Sequence, residues 1–192
     1  NANALVTAPI SKIAWHKAGH KFAGQTELLG KLTNKKTSML FTAISPNNGW
    51  RFNTLLATTH IPLNKINNNL KKELIRDKLD SLLNFCRKFK EKPVIQIAGL
   101  NPHAGEEGKI GIEEQNLIIP ILNKWKSDHP EIQLVGPVPP DTCWLSAANA
   151  WKGQFKRNAP NGILALYHDQ GLIPVKLIAF DEAVNTTLGL PF

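Results

Sequence analysis

"LALYHDQGLIPVK", residues 164 to 176, carries the pattern that decides the fold. An apolar run of strand character, Ile163 to Tyr167, stops abruptly at His168 and Asp169. A glycine follows, and then a lysine, Lys176. The pattern occurs twice more. "AGLNPHAGE" places His103 behind the apolar "VIQIAGL", and "GPVPPDT" places Asp141 behind "IQLV". In open α/β sheets ligands bind beyond the carboxyl ends of the strands. Three polar loops behind three apolar strands therefore predict one shared crevice.

Working outward, "SMLFTAIS" and "FNTLLATTH" are apolar, β-branched runs on either side of "PNNGW". That turn chemistry predicts an antiparallel hairpin. "ALVTAPIS" reads as a short buried strand stopped by Pro9, and "PVKLIAF" as another strand. Between Asn67 and Phe89 the period changes: Leu70, Leu74, Leu79, Leu82, Leu83, Cys86 and Phe89 fall on one helical face. A second amphipathic helix is expected from about Glu113 to Lys126, burying Leu117, Ile118, Ile121, Leu122 and Trp125. Pro120 inside it predicts a kink or a later start. Strands alternating with helices give an α/β class, a layered α/β/α sheet with an antiparallel hairpin added.

The chain has 192 residues, which suits one domain, or one and a small piece, with a sizeable core. No apolar run reaches the roughly 18 residues of a membrane span. Cys86 and Cys143 lack framework spacing, so buried thiols in a reducing, cytoplasmic compartment are expected. The net charge of +8 suits either nucleic acid or a small anionic substrate. The lysines are dispersed (Lys35 and Lys36, Lys71 and Lys72, Lys88, Lys90, Lys92, Lys124, Lys126, Lys152, Lys156), with no RNA-binding aromatic signature or zinc-finger spacing. They read as solvated helix faces, and a nucleic-acid partner is not expected. GxGxxG, P-loop and GxSxG motifs are absent, which removes the simplest dinucleotide, nucleotide-hydrolysis and serine-esterase readings.

His103 lies between Pro102 and Ala104-Gly105, a stiff lead-in and a permissive exit. It reads as a turn histidine or as a ligand. His168 reads as a satisfied core histidine or as a ligand. Two such imidazoles on neighbouring strand ends fit a divalent metal such as zinc. Lys176 can hold a phosphate as a point charge or lie solvated at a strand edge.

Taken in order, "LVTAPISK", "GQTELL", "LATTHIPL", "GLNPHAGE", "GPVPPDT", "YHDQGLIPVK" and "VNTTLGLPF" resemble the 4-hydroxythreonine-4-phosphate dehydrogenase family of vitamin B6 biosynthesis, from about Leu5 to Phe192. The resemblance implies a fold similar to the isocitrate and isopropylmalate dehydrogenases: two α/β domains flanking a cleft, and homodimers with active sites at the subunit interface. It implies NAD or NADP held without the usual glycine fingerprint, for which no residue is assigned here. The family's metal histidines fall on His103, on His168 and, in a "GHTE" motif, on Gln25. An amide carbonyl there is a weaker donor for zinc and leans toward harder ions such as magnesium. The cation implied is zinc, magnesium or cobalt.

The resemblance further places Lys176 and Asn185 on the substrate phosphate and assigns Asp141 and Asp169 to the polar wall, either of them handling protons. The implied reaction oxidises and decarboxylates 4-phosphohydroxy-L-threonine to 3-amino-2-oxopropyl phosphate. The metal would chelate the hydroxyl and amino groups and lower the alcohol's pKa, and hydride would pass to the nicotinamide. Two alternatives are a dehydrogenase of a four-carbon sugar-acid phosphate and a non-catalytic dimerisation and metal-binding domain. The chain begins at Asn1 in strand-like sequence and stops at "LGLPF". An arginine expected soon after that motif, and a histidine-threonine pair expected upstream, are not in it. Residues 1–192 are therefore expected to be mainly the central metal-binding and dimerisation domain of a two-domain enzyme, inactive alone.

Overall fold

The structure, a computed structural model, describes residues 4–22, 24–154 and 159–192. Lys156, one of the lysines read as solvated, lies outside the described residues. The chain divides into two compact units, one running up to Ser38 and taking in Thr187–Phe192, the other Met39–Thr186.

In the first unit, Ser11 caps α1 (Lys12–Lys17) by accepting the Ala14 N–H at 3.3 Å. Helix α2 (Gln25–Thr33) ends where Asn34 turns into the left-handed region, with φ 51°. The strand expected over "ALVTAPIS" does not form. Residues 4–11 carry no ladder, and Leu5 and Val6 are 56% and 94% exposed. Apolar composition makes a strand only where a neighbour offers hydrogen bonds and a surface to pack on.

The second unit is built on the sheet formed by β1 (Ser38–Ile44), β2 (Arg51–Leu56), β3 (Val94–Ala98), β4 (Gln133–Val138), β5 (Gly162–Ala165) and β6 (Val184–Leu188), in the order β4-β3-β5-β2-β1-β6. The predicted hairpin is present: β1 and β2 are antiparallel, with Leu40 opposite Leu55 and Ala43 opposite Phe52. The β2–β5, β3–β5 and β3–β4 pairs are parallel. Helices α3 (Ile66–Asn69), α4 (Lys72–Arg87), α5 (Ile119–Asp128), α6 (Leu145–Trp151) and α7 (His168–Ala179) complete the unit.

Successive side chains of a strand face opposite sides, and β5 shows both layers. A Cβ on Gly162 would meet Cys86 Sγ and Leu82 Cδ1 at 2.8 Å, so that face lies under α4. The next residue, Ile163, packs with Phe52, Ala147, Trp151, Val175 and Ala179, the core beneath α6 and α7. The sheet is covered on both faces, as the α/β/α reading requires.

Three further sequence expectations differ from the structure. The helix expected over 67–89 is broken at Leu70, whose ψ of 110° is extended, and Phe89 lies past its end, 50% exposed. The helix expected from Glu113 starts as a π-turn, Glu114–Ile118, and becomes α-helical only at Ile119, which puts Pro120 in the first turn of α5. A wider turn accommodates the proline's missing N–H. Finally, "PVKLIAF" is not a strand but the second half of α7. Leu172, Val175 and Ala179 are buried at helical spacing, whereas strand alternation from Val175 would have buried Leu177, which is 81% exposed. The short helix α6 was not anticipated.

Candidate functional site

The three polar loops do follow strand ends. Leaving β3, the chain enters a left-handed stretch in which His103, Ala104, Glu106 and Glu107 have φ between 42° and 57°, and Gly105 has φ 81°. Side chains with a Cβ avoid this region, so something must hold it. The buried carboxylate of Glu114, 1% exposed, accepts the backbone N–H groups of Leu100 at 2.7 Å and Asn101 at 2.8 Å, and the Asn101 side-chain amide at 2.8 Å. Gly105 is required here, because a Cβ would lie 2.7 Å from Glu114 Oε2. His103 is presented on the exposed side of this turn.

His168 is the first residue of α7, directly after Tyr167 in extended conformation. Its Nδ1 lies 2.7 Å from Asp169 Oδ1. A carboxylate only accepts, so Nδ1 keeps the hydrogen in this bond; in the neutral ring that leaves Nε2 with its lone pair, the tautomer a metal ligand needs. The imidazole of His60, on the loop after β2, has its centroid 5.5 Å from that of His168. The sequence reading passed over His60, although "LLATTH" repeats the pattern of an apolar run ending in histidine.

Asp141 is exposed on the turn between β4 and α6. Lys176 lies on α7 eight residues after His168, about 12 Å farther along the axis at ~1.5 Å per residue. It is therefore on a helix rather than at a strand edge, and remote from the imidazole. Asn185 is exposed on β6. Gln25 belongs to the first unit, where it opens α2 and its Nε2 donates to the Ala8 carbonyl at 3.0 Å. The atom it would offer a cation is thus the amide oxygen.

Among the described residues no three His, Cys, Asp or Glu side chains stand together as a metal cluster. The donor chemistry fits in part. Two imidazoles at the ends of paired strands, one with its tautomer set by a carboxylate, offer part of a ligand set, and the remainder must come from outside this group. The cysteines are excluded as nucleophiles or ligands: both are free and buried, and burial pushes each thiol up to about 12. No helix among the described residues is long and apolar enough to cross a membrane.

Comparison with known proteins places this geometry. A family model described as pyridoxal phosphate biosynthetic protein PdxA matches residues 1–192. A 4-hydroxythreonine-4-phosphate dehydrogenase of Synechococcus sp. (strain RCC307) is 58% identical over 193 residues, covering 100% of this chain and 59% of the relative. A D-threonate 4-phosphate dehydrogenase of Pectobacterium atrosepticum is 38% identical, over 99% of this chain and 54% of its own length. Among solved structures, a 4-hydroxythreonine-4-phosphate dehydrogenase from Klebsiella pneumoniae superposes with TM-score 0.78 at 35% identity, covering 96% of this chain and 52% of the other. The chain thus spans little more than half the length of the relatives it matches, and it shares with them the isocitrate/isopropylmalate dehydrogenase-like fold.

Proposed function

Because the chain belongs to the pyridoxal phosphate biosynthetic protein PdxA family, we propose that it serves the NAD(P)- and divalent-metal-dependent oxidation and decarboxylation of 4-phosphohydroxy-L-threonine to 3-amino-2-oxopropyl phosphate. The observation that carries this reading is the family match over all 192 residues.

His103 and His168 would hold a divalent cation (zinc, magnesium or cobalt). When bound, the metal supplies Lewis-acid polarisation of the substrate hydroxyl and the nicotinamide accepts the hydride. The chain's own residues orient and exchange protons. Asp169, bonded to His168 Nδ1 at 2.7 Å, keeps that imidazole in its ligand tautomer. Its commitment there favours Asp141 as the group that takes the substrate proton. Lys176 and Asn185 would bind the phosphate.

We further propose a cytoplasmic homodimer with no nucleic-acid partner. Its interface would use the exposed apolar stripe of α7, Ile173, Leu177 and Phe180, at 59%, 81% and 69% exposure. Residues 1–192 would serve mainly as the metal-binding and dimerisation domain of a two-domain enzyme.

The test is NAD(P)H formation from 4-phosphohydroxy-L-threonine and, in parallel, from D-threonate 4-phosphate, with each metal. Turnover of the first substrate by the reading frame extended to the length of its relatives supports the proposal. Turnover of the second alone transfers it to the sugar-acid phosphate. The 192 residues by themselves are expected to bind metal without turnover.

A further inference from the structure

We propose that Gln170 is a positioning residue that sets the separation of the two histidine-bearing loops, an inference that rests on the metal reading above. The Gln170 side chain is 7% exposed. Its Oε1 accepts the Leu166 N–H at 2.7 Å and its Nε2 donates to the Gly99 carbonyl at 2.7 Å. An N–H can only donate and a carbonyl can only accept, so the amide orientation is fixed by its partners.

The placement of those partners gives the bond its meaning. Leu166 is the residue just past β5, two before His168, and Gly99 is the residue just past β3, four before His103. The β3–β5 ladder runs through Ile95–Gly162, Gln96–Ile163 and Ile97–Leu164. Beyond it the two chains part toward their loops, and the Gln170 amide adds one more rung between them, made by a side chain. Thr58 grips Leu166 from the other side: its N–H and Oγ1 reach the Leu166 carbonyl at 3.2 and 2.7 Å. The stem of the His168 loop is thereby tied to β2 on one side and to the stem of the His103 loop on the other.

A plain helix cap does not account for this. Gln170 is the third residue of α7, and a residue there commonly reaches back to satisfy a free N–H at the helix start. That duty needs only an acceptor, which glutamate supplies equally well. The donor to Gly99 is what a cap does not use, and it is the half that crosses between strands. Partners bonded directly to metal ligands change metal affinity about 10- to 100-fold when removed; Gln170 acts one step farther out, on the stems of both histidine loops, so the lower end of that range is the expected effect.

The experiment measures Co2+ affinity by calorimetry, and the Co2+ visible absorption band, for the wild-type chain, Gln170→Met, Gln170→Glu, His103→Ala and the double variant His103→Ala/Gln170→Met. Leu79→Ala, on the buried face of α4, controls for lost stability. We expect Gln170→Met and Gln170→Glu to bind Co2+ at least about tenfold more weakly and with an altered band. Leu79→Ala should bind within about twofold of wild type. In the His103→Ala background, where the two loops no longer chelate together, Gln170→Met should add no further loss. Unchanged affinity in both Gln170 variants, or the same loss with and without His103, would overturn the inference alone. A wild-type chain that binds no cation would overturn the metal reading together with the inference built on it.

Discussion

Glu114 and Asn101 are joined twice: Glu114 Oε1 accepts the Asn101 backbone N–H, and Oε2 accepts its side-chain amide, both at 2.8 Å. With the Leu100 N–H at 2.7 Å, three donors satisfy a carboxylate that has left water. Bonds to a charged group contribute about 1.5–3 kcal/mol each. The four non-glycine residues in left-handed conformation, His103, Ala104, Glu106 and Glu107, cost about 1–2 kcal/mol each. The two sums are of similar size, so the brace suffices to hold the turn. Glu114→Ala leaves the part-buried N–H groups of Leu100 and Asn101 without their acceptor, at about 1–3 kcal/mol each. Urea denaturation should show a loss of about 3 kcal/mol or more, and Glu114→Gln, which keeps one acceptor oxygen, a smaller loss.

The neighbouring Glu113 shares the Asn101 side chain. The Asn101 amide, donating to it at 2.8 Å, holds its carboxyl below the usual carboxylate range, with further help from backbone N–H groups and Asn67. A pKa depressed in the folded state contributes stability that is complete above the unfolded pKa and disappears as pH falls through the folded one. The melting temperature should therefore fall as pH drops below about 4. Glu113→Gln should flatten that part of the profile by lowering the melting temperature at neutral pH toward its acid value, leaving the acid end nearly unchanged. A profile identical in the two proteins would refute the assignment.

Gly171 lets α7 approach the sheet. A Cβ there would lie 2.5 Å from Leu56 Cδ2, 3.0 Å from Ala165 Cβ and 3.1 Å from Thr54 Cγ2. Gly171→Ala is expected to cost about 1–3 kcal/mol by overpacking. Because the shortest contact is the tip of a side chain, Leu56→Ala should be less damaging in the Gly171→Ala background than alone. A double-mutant cycle on thermal unfolding reads this directly.

The sequence pattern made the strands and their polar ends legible because apolar runs bounded by turn residues have few alternatives. Helix α7 was misread because its outward face is apolar too. With Ile173, Leu177 and Phe180 exposed, the stretch shows no polar stripe to reveal a helical period, and its β-branched residues imitate a strand. The left-handed turn was half legible: Gly105 announces a positive φ, but His103, Ala104, Glu106 and Glu107 do not. Their conformation is imposed by Glu114, a residue met only later in the chain. Gln170 was unreadable for a related reason, since its two partners come from different strands.

His103→Ala and His168→Ala should each weaken divalent-cation binding by more than about tenfold, the scale on which even supporting contacts matter. Asp169→Asn should act in the same direction with a smaller effect, because an amide still accepts from His168 Nδ1–H but no longer as an anion. Titration calorimetry measures all three. Wild-type affinity in both histidine variants would remove these residues from the metal site.

The last prediction concerns the stripe that disguised α7. Ile173, Leu177 and Phe180 recur at helical spacing, each more than half exposed, and burying a side chain of this kind contributes about 1.5–3 kcal/mol. An apolar stripe held outward on a rigid helix marks a contact surface. Lys176 sits between two of these residues, so the same contact would bring a second subunit close to the proposed phosphate group. Leu177→Lys should convert a dimer to a monomer in light scattering at about 30 micromolar, with the melting temperature of the monomer little changed, since Leu177 is 81% exposed and packs little within its own chain. Loss of dimer in Leu177→Lys but not in Leu63→Lys, an equally apolar and 70% exposed position outside α7, assigns the interface to this helix. A wild-type chain that is monomeric with metal present would instead dismiss the α7 dimer and leave the stripe as a surface for some other contact.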